Sequence, residues 1–198
     1  MEWDQSRIQS IAGIDCSYDP AAKRVGAVVV VCKTPSFQVV EVTTDIQPDV
    51  IPYIPGYLHF RKAPACLKAF RKLTHPPDIT LLDGNGIAHP RKMGLAAYFG
   101  VLLDISTIGC AKNPLFSHSA PKGEKASFTT FSNDDGVSVG VCIRTRENIK
   151  PVFISPGHRI DIAHSKKIIL SCSRTRIPEP LRLAHLEVSR IFLNPDRI

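Results

Sequence analysis

Two β-branched, apolar runs, Ile11–Tyr18 and Val25–Cys32, are separated only by a turn around Asp19-Pro20, and a third strand-like run, Phe37–Thr44, follows directly. Such residues suit a pleated, half-buried surface, and aspartate and proline punctuate it. Strands joined this closely pair antiparallel, because a parallel pair needs a crossover of about a dozen residues or more. The chain therefore starts as an antiparallel meander. The stretch 48–55 then breaks the pattern, being too rich in proline for a helix or a central strand.

Beyond that point helical and strand patterns alternate. Pro64–Leu73 has helical spacing, with Leu67, Phe70 and Leu73 on one side and Lys68, Arg71 and Lys72 on the other, and Pro64 suits a first turn. Ile79–Leu82 reads as a buried strand, Met93–Phe99 as a helix and Thr107–Cys110 as a short buried strand. A polar loop covers Asn113–Ser127. Val137, Val139 and Val141 alternate as a half-exposed strand, Val152–Ile154 is a further one, and Ile160–Ser171 and Leu181–Phe192 are closing helices, the second started by Pro180. Antiparallel strands followed by alternating helix and strand predict an α/β fold, a mixed central sheet flanked by helices. This order resembles the ribonuclease-H-like arrangement. There, acids on the first and fourth strands meet near the sheet centre, so Asp15 and Asp83 would be neighbours.

The length, 198 residues, is enough for one well-buried core, and residues 1–198 read as one domain. A formal net charge of +7 favours a polyanionic partner. Six cysteines are scattered with no CxxC pair and fall mostly inside apolar runs, where cysteine behaves as a small hydrophobe. Reduced core thiols in a cytoplasmic protein are expected, and a zinc site is not. The first ten residues carry no apolar signal core, and the longest apolar run, Val25–Cys32, is too short to span a bilayer.

Chemistry concentrates in few places. Asp15 interrupts an apolar strand three residues before its turn, and a buried carboxylate is costly unless a cation pairs with it. Asp83 ends the next buried run in LLDGNGIAHPRK, residues 81–92, although Asp-Gly is also an ordinary turn. Together the two acids could hold one Mg²⁺ through hard oxygen ligands and leave positions for water and phosphate. His89 and His158 each follow a glycine-containing turn and could move protons or contact phosphate; either could equally be structural. Lys112 could neutralise a phosphate or simply be solvated at a strand end. In IPYIPGY, residues 51–57, prolines would hold Tyr53 and Ile54 rigidly, the kind of stiff wedge used to unstack bases, while Gly56 permits a close backbone approach. A proline-stiffened loop on the core is the alternative.

At the level of whole motifs, PYIPGYLHFR (52–61), the stretch 77–115, the opening IAGIDCSY and FISPGHRI (153–160) resemble the endonuclease V family. The resemblance covers most of the chain. It implies cleavage of the second phosphodiester bond 3′ to inosine, with Mg²⁺ or Mn²⁺, in DNA or RNA. It implies Asp15 and Asp83 as metal-binding acids, and Pro52, Tyr53, Ile54 and Pro55 as the strand-separating wedge. Gly56, Leu58, Gly84 and Gly94 would line the pocket for the extruded base, with His89, Lys112 and His158 near the active site.

The family motif reads FRE after the wedge, and its glutamate is a metal-site acid. Here the run is Phe60-Arg61-Lys62, and the family's DGHG becomes Asp83-Gly84-Asn85-Gly86. Exchanging glutamate for lysine changes the local charge by two units, and each unit charge about 4 Å from another is worth roughly 4 kcal/mol at an effective dielectric near 20. Three readings follow. Lys62 pairs with Asp15 or Asp83 and the protein binds nucleic acid without cutting it. Alternatively, Lys62 stands in for a second cation in a single-metal nuclease, or Asp161 supplies the missing ligand.

Overall fold

The computed structural model describes residues 8–49, 51, 54 and 56–192. The wedge positions Pro52, Tyr53 and Pro55, and the side chain of Leu58, lie outside the described residues. The first three strands are β1 (Ser10–Asp19), β2 (Arg24–Lys33) and β3 (Gln38–Pro48), followed by helix α1 (Leu58–Arg71), β4 (Ile79–Asp83), α2 (Leu95–Leu103) and β5 (Thr107–Ala111). The second half holds β6 (Phe128–Ser132), β7 (Ser138–Ile143), β8 (Val152–His158), α3 (Ile162–Ser171) and α4 (Glu179–Val188).

The strands form one mixed sheet in the order β3-β2-β1-β4-β5-β8-β7-β6. The opening meander is antiparallel, and β1, β4 and β5 run parallel at the centre. Val25, Val29 and Val31 of β2 pack with α1 and α2, and Val28 and Val30 with α4, so this strand is buried on both faces and its unbroken apolar run follows. Ile79, Leu81 and Ile108 carry the core on to α3. Each fully buried aliphatic side chain here contributes about 1.5–3 kcal/mol.

The sequence expectations hold for order and topology and shift at the edges. α1 begins at Leu58 rather than Pro64, which sits inside the helix. His59 is buried, and its ring packs against Phe60 and Tyr98 at centroid distances of 4.3 and 5.4 Å, which anchors a first turn ahead of the proline. β6 lies in the region 113–132 next to the polar loop; its FTTFS pattern leaves only Phe131 buried, a weak strand signal.

Candidate active site

Parallel pairing aligns Ile14 with Leu82, so Asp15 and Asp83 follow one another at the same level on adjacent central strands. Asp15 is buried, 5 % exposed. Its Oδ1 accepts the Cys16 peptide N–H at 2.8 Å, and its Oδ2 lies 2.7 Å from His185 Nδ1 on α4. Burial first, and the charge of Asp83 second, push the Asp15 carboxyl above the usual range, against the pull of His185, Cys16 and Lys62. Asp83 Oδ2 is 3.2 Å from the Lys112 ammonium at the end of β5.

Lys62 projects from α1 toward the same two acids. Burial opposes its charge, but Cys16, Asp83, Asp15 and Tyr18 around it outweigh that and hold the ammonium above the ordinary lysine range. It makes no ion pair closer than 4.0 Å among the described residues. The expectation that Lys62 pairs directly with Asp15 or Asp83 is therefore corrected. The close partners are His185 and Lys112, and Lys62 acts on both acids through space.

Two cavities meet at Asp83. One, about 250 Å³, is lined by Asp15, Asp83, Lys112, Leu181, Arg182 and His185. The other, about 290 Å³, is lined by Gly56, His59, Lys62, Asp83, Gly84, Asn85, His89, Gly94 and Leu95. Three of the residues expected around an extruded base, Gly56, Gly84 and Gly94, thus share one cavity with His89. Close approach explains one of the glycines: a Cβ on Gly94 would stand 2.3 Å from the Asn85 carbonyl oxygen. His89 is 8 % exposed, its Nδ1 accepts the Arg91 peptide N–H at 3.3 Å, and burial followed by Arg91 lowers its pKa, so a neutral imidazole faces the cavity. Arg91 lies over the Tyr57 ring at 4.1 Å, while Lys92 turns away to Asp135, 3.1 Å distant. Ile54, the described member of the wedge, is exposed.

Two expected residues fall elsewhere. His158 pairs in register with Thr107 at the start of β5, whereas Asp83 pairs with Cys110 near its end. His158 therefore sits toward the opposite end of the strands from Asp83, 2.9 Å from Asp104. Asp161 is there too, as the N-cap of α3: its carboxylate accepts the His164 N–H at 2.7 Å. The antiparallel course of β8 carries both residues away from the acids, so Asp161 does not supply the missing ligand.

Sequence reasoning missed His185 and His59. His185 lies one turn after Leu181 on the helix started by Pro180, beside the buried stripe Leu181, Ala184, Val188. A polar residue bordering that stripe was its only signal. His59 adjoins the wedge motif; it is 5 % exposed and edge-on to His89 at 6.0 Å.

These donors do not fit a divalent ion held by an acid cage. Among the described residues no three His, Cys, Asp or Glu side chains gather into a set that could hold a metal ion. The two carboxylates that are present already face the ammonium groups of Lys112 and Lys62.

The Endonuclease V family model matches residues 1–186. Endonuclease V of Dictyoglomus thermophilum is 41 % identical over 181 residues, covering 90 % of this chain and 78 % of that protein. The crystal structure of Endonuclease V from Streptomyces avermitilis superposes with a TM-score of 0.90 at 37 % identity, covering 94 % of this chain and 82 % of that one. Ciona intestinalis Endonuclease V, solved in complex with a 23mer DNA containing an inosine, shares the fold at a TM-score of 0.85 and 24 % identity, covering 98 % and 89 %. The sheet order, the paired strand-end acids and the family match over residues 1–186 agree: this chain belongs to the Endonuclease V family.

Proposed function

We propose that this protein recognises inosine in a DNA or RNA strand by receiving the extruded base in the cavity between Gly84 and Gly94, and that Lys62 silences the phosphodiester hydrolysis expected of the family. The carrying observation is the half-buried Lys62 ammonium, which lines one cavity with Asp83 and is held in its charged form by the nearby Asp83 and Asp15. Metal-assisted phosphodiester cleavage needs acids free to hold the ion that activates water and polarises phosphate. Here Lys62 and Lys112 balance the two carboxylates, and a divalent ion would enter against that positive charge. The base cavity, by contrast, keeps Gly84, Gly94, His89 and a buried His59. The inosine-containing DNA bound to the Ciona relative supports the choice of base.

A second reading, a nuclease working with one Mg²⁺ or Mn²⁺, is favoured by the two acids, Asp15 and Asp83, lining one cavity. One experiment separates the two. A fluorescent strand containing a single inosine, and its adenine counterpart, are titrated with the protein without metal and then incubated with Mg²⁺ or Mn²⁺. Tighter binding of the inosine strand that stays intact supports recognition without cleavage. Equal affinity for both strands defeats it, and prompt cutting by the native chain turns the assignment to the single-metal nuclease.

A further inference from the structure

All six cysteines are free thiols, and five of them are buried: Cys32, Cys66, Cys110, Cys142 and Cys172. Cys16 is partly exposed. Its Sγ stands 3.0 Å from Cys66 Sγ, although 50 residues separate the two in the chain. Cys16 is on β1 and follows Asp15, whose Oδ1 accepts its peptide N–H. Cys66 is on α1, one helical turn after Lys62 and on the same face. The two sulfurs thus stand where the strand bearing the buried acid meets the helix bearing the lysine.

We propose that Cys16 and Cys66 are a thiol-oxidation site, closing to a disulfide in the presence of a hydroperoxide. A disulfide needs its sulfurs about 2.05 Å apart, so closure requires an approach of roughly 1 Å between elements already in contact. Exposure sets the order of events. The partly exposed Cys16 sulfur attacks a peroxide oxygen; the O–O bond breaks, water or an alcohol leaves, and Cys16 becomes a sulfenic acid. The Cys66 sulfur then attacks the Cys16 sulfur; the S–S bond forms as the S–O bond breaks, and the hydroxyl departs with the Cys66 proton as water. Two thiols are oxidised and one peroxide is reduced. The product ties β1 to α1 beside Asp15 and Lys62, so the oxidation state of the pair bears on the junction of the two elements that carry these residues. This holds whether or not the protein cuts nucleic acid.

The test treats the folded, reduced protein with a small excess of hydrogen peroxide, blocks remaining thiols with an alkylating agent under denaturing conditions and maps the peptides by mass spectrometry. The expected result is a Cys16–Cys66 cross-linked peptide, lighter by two hydrogens and reversed by dithiothreitol, with Cys32, Cys110, Cys142 and Cys172 alkylated. Recovery of both Cys16 and Cys66 as alkylated thiols, or of Cys16 as an irreversible sulfinic acid, overturns the proposal. In Cys66→Ser, Cys16 should accumulate as a dimedone-trapped sulfenic acid; its absence there overturns the order of attack. In Cys16→Ser, Cys66 should stay reduced, and its oxidation would contradict the assignment of Cys16 as the entry point.

Discussion

Carboxylates set side by side by parallel strands repel one another, and this protein answers with partners of its own: the His185 imidazole at Asp15, the Lys112 ammonium at Asp83, and the Lys62 ammonium facing both. Residue identity matters more here than residue position, since one side chain of the opposite charge changes what the same backbone can hold. A neighbouring pair gives a clean pH test. Glu179, 8 % exposed, takes two hydrogen bonds from Arg182 at 2.9 and 2.6 Å, and that guanidinium holds its carboxyl below the usual range. A depressed carboxyl stabilises the fold above its unfolded pKa, near 4.5, and that contribution disappears as pH falls through the lower folded value. Glu179→Gln should therefore cost about 1 kcal/mol at pH 7, measured by urea denaturation, and the gap to the native protein should close toward pH 3. A gap that widens on acidification would show that the pair does not act as described.

Elements place these residues by close packing. α4 crosses β1 at Gly13, where an added Cβ would stand 2.3 Å from the Pro180 carbonyl and 2.5 Å from Leu181 N. That contact lets His185 reach Asp15. Gly13→Ala must push the helix off the strand and should cost about 3 kcal/mol, seen as a lower denaturation midpoint with an unchanged slope. Unaltered stability would mean that the close approach does not position α4. The sequence was most legible at this scale. Its unbroken apolar runs marked β1, β2, β4 and β5, and Asp15 and Asp83 stood out because charge is costly in such runs. β6 was hidden by its mostly exposed side chains, and the first turn of α1 by a proline that tertiary aromatic packing tolerates. His158 and Asp161 were drawn into the site by motif proximity, yet the reversed direction of β8 carries them toward the other end of the strands. His185 was missed because its partner lies 170 residues away.

The whole molecule carries a net charge of +7, and no helix among the described residues is long and apolar enough to cross a membrane. Binding to a single strand should therefore weaken with salt. About four neutralised phosphates would give a slope near −3 in log affinity against log salt concentration, and a flat line would rule out a nucleic-acid partner. The central claim is that Lys62 silences a fold otherwise arranged for hydrolysis. The most direct measurement is the single-turnover cleavage rate of an inosine-containing strand in Mg²⁺, native protein against Lys62→Glu. Restoring an acid beside Asp15 and Asp83 should raise that rate on the order of 10²-fold, the scale on which one preorganised electrostatic group acts in an active site. A native protein that already cleaves, with a rate Lys62→Glu leaves unchanged, would contradict it.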